Sequence, residues 1–138
     1  IGKLAMEVAL PGHVKEISEK ASLLKKPFHE AEDQSFNHTI AGDSIAEQWN
    51  FPSDLRNYIL NHHQPLNENC CSVNLTIVHI ADIITHILGY PLFKNEIAPP
   101  ISDELLSRIE LPLERLKVIA ATVLQDHKRS EALLQVFE

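Results

Sequence analysis

A chain of 138 residues has room for one domain around one hydrophobic core, and its 44% apolar and 22% charged residues are those of an ordinary globular protein. A formal charge of -7 argues against a basic face for nucleic-acid polymers or anionic membranes, although a small phosphate ligand needs only one local basic or metal-bearing pocket. No run approaches the ~20 apolar residues that cross a bilayer, so neither membrane nor nucleic acid is an expected partner.

Glycine is scarce and strand-like alternation is hard to find, so helices should dominate. The opening Ile1-Gly2-Lys3-Leu4-Ala5 has no initiator Met and no signal-peptide pattern, and reads as the middle of a longer chain. Pro11-Gly12 is a break. Val14 to Leu24 then reads as a helix carrying Val14, Ile17, Ala21 and Leu24, ended by Lys25-Lys26-Pro27. A polar link through Asp33 leads to a second helix, about Asn37 to Trp49. Gly42 inside it costs roughly 1 kcal/mol relative to Ala and so marks close packing. His38, Ile45 and Trp49 share its stripe, which turns His38 inward beside a core Trp. Pro52 sits near the start of the next helix, which runs to about His63 and is stopped by Gln64-Pro65. Leu55 and Ile59 bring His62 and His63 towards the apolar face. Neighbours differ by about 100° around a helix, so one imidazole can point inward while the other reaches a cleft rim.

Ser72 to about Leu88 is the most informative helix. From Leu75 onward its polar positions are Thr76, His79, Asp82, Thr85 and His86, and apolar residues fall on every side, so it should be central and mostly buried. Gly89 is the expected C-cap and Pro91 the stop. His79, Asp82 and His86 at i, i+3, i+7 share one stripe. A buried carboxylate costs several kcal/mol unless paired or metal-bound, so Asp82 needs a partner: a brace to His79 or backbone groups, or a metal or phosphate site. Residues 92–101 read as a loop, and Ser102-Asp103-Glu104 starts a short helix. Pro112 opens a long last helix, whose Leu116, Ile119, Ala120, Val123, Leu133, Leu134 and Phe137 are expected to pack on the core; any exposed part would suit a dimer or partner. Adjacent Cys70 and Cys71 read as idle thiols in a reducing cytosol, not a disulfide framework. His13, His29 and His127 read as surface residues. The expected fold class is all-α, a single compact multi-helix bundle.

Four features occur in one order: His38-x-x-x-Gly42, Trp49-Asn50-Phe51-Pro52, His62-His63-Gln64-Pro65 and His79-Ile80-Ala81-Asp82. That order resembles the HD superfamily of metal-dependent phosphohydrolases, most closely its HDOD branch. Ile1-Gly2-Lys3 is similar to the tail of the His-Asp-Ile-Gly-Lys signature. The likeness runs from Ile1 to about Gly89, within a domain taken to span 1–138 with C-terminal helices over 102–138. It implies a bacterial, cytoplasmic bundle of HD-domain type whose N-terminal part precedes Ile1. It also implies a signal-transduction or regulatory module, non-catalytic or of undefined activity, that works with other signalling domains or proteins or with a small phosphate-containing ligand.

In catalytic relatives a His-Asp dyad, further His residues and a final Asp ligate a divalent metal (Mn, Fe or Mg), which polarises a phosphoryl oxygen and activates water. Carried over by position, His38, His62, His63 and Asp82 occupy the ligand places and Lys3 matches the lysine that assists the phosphate. The dyad itself would lie immediately before Ile1. With it intact, the alternative is a phosphohydrolase acting on a nucleotide or cyclic dinucleotide. The sequence departs from the HD-GYP class, because His62-His63 is followed by Gln64-Pro65-Leu66-Asn67 and the literal Gly89-Tyr90-Pro91 falls after the Ala-Asp helix. The residues leave oligomeric state open.

Overall fold

The described residues of the computed structural model are 1–67, 72–89 and 96–134, the last four of these for the backbone alone. Cys70, Cys71, Tyr90, Pro91 and Phe137 lie outside them, as do the side chains of Leu133 and Leu134. Among the described residues all regular structure is helical: α1 Gly2–Ala9, α2 His13–Leu24, α3 Phe28–Ala31, α4 His38–Gln48, α5 Ser53–Asn61, α6 Val73–Ile87, α7 Asp103–Arg108 and α8 Leu113–Leu134. The all-α expectation holds.

Local chemistry sets the helix starts. Asn37 accepts from the backbone N–H groups of Thr39 and Ile40 to open α4, Ser72 accepts from Leu75 to open α6, and Ser102 accepts from Leu105 to open α7; each satisfies a donor that the first turn leaves without a partner. Gly12 adopts φ 90, which suits a residue without Cβ, and the Glu7 carboxylate accepts from the N–H groups of Gly12 (2.7 Å) and Val14 (3.3 Å). That arrangement folds α2 back against α1.

Two apolar clusters flank the α4–α5 pair. Met6, Val14, Ile17, Ala21, Phe28 and Ala31 join α1, α2 and α3, while Ile80, Leu105, Leu106 and Leu116 join α6, α7 and α8. Burying each large side chain contributes about 1.5–3 kcal/mol. Where α1 crosses α4, glycine meets glycine: a Cβ on Gly2 would lie 1.8 Å from the His38 carbonyl oxygen, and Gly42 lies 3.6 Å from the Gly2 backbone by the same measure. Gly42 therefore marks close packing, as its position in a helix predicts, and its neighbour is α1. Arg56 ties α5 to α4 by gripping both oxygens of Asp43 (2.8 and 3.1 Å) and one of Glu47 (2.8 Å). Those hydrogen bonds hold the Asp43 carboxyl below its usual range.

Several expectations need correction. Trp49 is 59% exposed and not in the core. Asn50 takes φ 54, and the Phe51 N–H turns back to the Ala46 carbonyl (2.9 Å), so α4 closes before Trp49 can follow the buried stripe; its ring leans on Phe51 instead. Leu24 is exposed while Val14, Ile17 and Ala21 are buried. Helix α6 is buried along Leu75, Thr76, His79, Ile80 and Ile83 but leaves Val73, Ile77, Val78 and Ile87 exposed, because its neighbours among the described residues cover one side. Its C-cap is Leu88, with Gly89 one residue beyond at φ 90. On α8 Leu116 is buried, but Ile119 and Val123 are exposed. Finally, Phe28 and Ala31 form the buried face of α3 inside what reads as a polar link.

Candidate metal centre and cleft

His38 opens α4 and is buried. The Glu32 carboxylate holds it twice: one oxygen accepts from the His38 backbone N–H (2.8 Å), the other from Nδ1 (2.6 Å). With its proton committed there, the imidazole presents a bare Nε2 to the interior. His62, the C-cap of α5, donates from Nδ1 to the Ile59 carbonyl (2.8 Å), so its Nε2 is bare as well. The two bare nitrogens face each other at 3.4 Å, and His63 Nε2 lies 3.0 Å from His38 Nε2. From α6, His79 donates Nδ1 to the His62 carbonyl (2.6 Å), which pins the turn carrying the His pair.

His38, His62 and His63 bring one ligand nitrogen each within 4.8 Å of one another. Two imidazoles aiming lone pairs at one point repel unless a proton or a cation lies between them. Cis nitrogens on an ion with bonds of about 2.0–2.1 Å stand roughly 3.0–3.4 Å apart, which matches the two spacings. The donor set therefore fits a divalent ion. Asp82 is not in this group: its Oδ2 lies 4.0 Å from His63 Nδ1, on the ring edge away from His38. Both of those atoms are buried and lack a hydrogen-bond partner. The structure thus gathers three of the predicted ligands at one point and brings Asp82 alongside the third.

Residues 1–65 match the HDOD domain family model. That is the family which the order of the histidine motifs resembles. The match takes in Lys3, Glu32, His38, His62 and His63 and ends before Asp82. No curated protein and no solved structure matches the chain.

The matched stretch, α6, Ile97 and Pro99 line a cleft of about 1110 Å³, whose walls include Leu4, Phe28, Tyr58, Ile59 and Val78 beside the histidines. Lys3 reaches into it over the Phe28 ring (4.0 Å from the centroid), but its Nζ is engaged by Glu96 at 3.3 and 3.4 Å. His86 also meets Glu96, at 2.9 Å through Nε2, while its Nδ1 donates to the Asp82 carbonyl at 2.9 Å. Asp82 thus has His63 and His86 for neighbours, whereas His79 turns to the His62 backbone.

Sequence reasoning misses three contributors. His29, read as a surface residue, is half-buried and stacks on His63 with centroids 4.0 Å apart. Glu32 carries no local signal, since its partner is six residues away and beyond a break. Glu96 has one weak signal: it is the only acid in the otherwise mostly apolar 92–101 stretch.

Burial pushes the pKa of His62, His63, His79 and His29 down, and for His63 the surrounding imidazoles add to the shift. These rings stay neutral at pH 7, the form that ligates metal. His86 is shifted up, first by its hydrogen bond to Glu96. Burial raises the Glu96 carboxyl, but His86 and Lys3 outweigh it and leave the group lowered.

A stability prediction follows from these directions. The unfolded chain takes up protons on these four histidines as pH falls below about 6.5, and the folded chain does so only at lower pH, so their contribution is complete above about 6.5 and is lost as pH falls from there through the lowered folded values. Each group adds a slope of up to about 1.4 kcal/mol per pH unit. His86 acts oppositely: its contribution is present below about 6.5 and fades as pH rises through its raised folded value. The four outnumber the one. Urea midpoints of metal-free protein should therefore fall steeply from pH 7 to pH 5.5; a flat profile would show that the cluster is not buried and neutral.

Proposed function

We propose that this HDOD domain is a regulatory module whose cleft holds one divalent cation on His38, His62 and His63 and takes a small phosphate-bearing ligand, with Asp82 and Lys3 on the cleft wall. The carrying observation is the convergence of two imidazole Nε2 atoms whose Nδ1 protons are committed elsewhere. Three neutral nitrogens leave the ion its full double charge, so the site would attract an anion. Imidazole donors favour an ion such as Fe over Mg. The bound ion would polarise a phosphoryl oxygen and lower the pKa of a bound water. The chain's own part is to hold the His38 and His62 rings in fixed tautomers, to line the cleft with apolar walls, and to keep the Asp82 carboxylate beside His63. Ligand occupancy would then be read by other signalling domains or proteins.

A second reading, metal-dependent phosphoester hydrolysis, is favoured by one feature: three protein ligands leave coordination positions open, as in hydrolytic metal sites. The two are separated by one series of measurements on the protein loaded with Mn²⁺ or Fe²⁺. Metal content comes first, then calorimetric binding of nucleotides and cyclic dinucleotides, then their hydrolysis, read as phosphate from a nucleotide or as the opened, phosphomonoester-ended product from a cyclic dinucleotide. Binding without turnover is the expected result. Turnover that Asp82→Ala removes would establish the second reading, and a loaded protein holding no metal would overturn both.

A further inference from the structure

We propose that Glu96 is an internal stand-in for an anionic ligand group, filling a phosphate-sized position between Lys3 and His86 that a ligand must take by displacing it. The inference deepens the reading of the cleft as a phosphate-binding pocket and adds its regulation. The Glu96 side chain is 1% exposed, and both its oxygens are engaged by Lys3, one of them also by His86. His86 faces oxygen acceptors at both ring nitrogens, the Asp82 carbonyl and Glu96, and only a ring protonated on both can donate to both. Glu96 therefore sits between two cations, the environment that recognises a phosphate oxygen pair.

The three groups come from different places in the chain. Lys3 belongs to α1 and His86 to α6, one turn beyond Asp82, whereas Glu96 begins the irregular stretch 96–102 ahead of α7. The cations stand on helices and the carboxylate on irregular backbone over 96–102, so expelling it breaks side-chain contacts and unwinds no helix over that stretch. Ile97 and Pro99 line the same cleft, and would shift with it. Ligand entry thus converts to movement of the 96–101 strap, a signal that needs no chemistry.

The alternative is that Glu96 merely clasps α1 to α6. Calorimetry with inorganic phosphate on metal-free protein separates the two, and is independent of whether His38, His62 and His63 hold an ion. Glu96→Gln keeps the shape and removes the competing charge. It should bind phosphate at least about ten-fold more tightly than wild type, and Lys3→Met added to it should reverse the gain. An unchanged or weaker affinity in a folded Glu96→Gln protein overturns the proposal. Should that variant not fold, hydrogen exchange on wild type decides: saturating phosphate must speed exchange across 96–101 and leave 62–63 unaltered, and no change there is equally fatal. Loss of metal uptake with the phosphate result intact would sink the metal centre alone.

Discussion

His38→Ala should lower divalent-metal affinity by at least about 100-fold while leaving the helices in place. His38 is the hub of the cluster, since its Nε2 faces both His62 (3.4 Å) and His63 (3.0 Å). Losing a hydrogen bond that merely orients a ligand costs about 10–100-fold at metal sites, and this change removes a ligand outright. The fold should survive because the Asn37 cap and the Glu32 bond to the residue 38 backbone N–H do not need the imidazole. What is lost is the partner of one oxygen of the buried Glu32, a cost of about 1–3 kcal/mol. Relief of lone-pair crowding in the metal-free state offsets part of it. Titration with Mn²⁺ or Fe²⁺ followed by metal analysis reads the first effect, and urea denaturation the second. Glu32→Gln gives the graded comparison: the ring stays but its tautomer is no longer enforced by a carboxylate, so affinity should fall by about 10–100-fold. Metal uptake by His38→Ala equal to wild type would remove the cluster from consideration as a metal centre.

Gly2→Ala should be among the most destabilising single-methyl additions in the chain, at about 3 kcal/mol. The added Cβ would stand 1.8 Å from the His38 carbonyl oxygen and 2.7 Å from its carbon, both backbone atoms of α4 that cannot rotate away. Helix α1 must retreat from α4, which opens the packing around Met6 and shifts the residue carrying the central imidazole. Gly42→Ala is the informative control. Its Cβ meets Ile59 Cγ2 at 2.9 Å, the end of a side chain that can turn. The strain there is about 1 kcal/mol and is offset by a helix-propensity gain of similar size. Denaturation midpoints should therefore fall sharply for Gly2→Ala and barely move for Gly42→Ala. Equal effects would mean that α1 does not cross α4 at these two glycines.

The sequence by itself determined those features that are written over a few neighbouring residues. The helix starts at Asn37, Ser72 and Ser102 follow from a side-chain oxygen two or three residues ahead of an amide without a partner. The inward turn of His38 is legible from its place on the Gly42 stripe, and the family likeness from the order of the histidine motifs. The helix starts and the turn of His38 depend on spacing along one helix or across one turn, where backbone geometry converts sequence distance into spatial distance.

Only the tertiary structure decided what depends on pairs far apart in the chain. The resemblance matches Lys3 to a lysine that assists the phosphate, and only the fold brings Glu96, 93 positions away, onto it. Glu32 becomes the holder of the His38 tautomer, and His29 the stacking partner of His63, because a break and a short helix return the chain to the cleft. Trp49 leaves the core through a left-handed Asn50, and Ile119 and Val123 of α8 stay exposed although they follow the buried Leu116. Periodicity states which face of a helix is apolar, but whether another element covers that face is decided by where the rest of the chain packs.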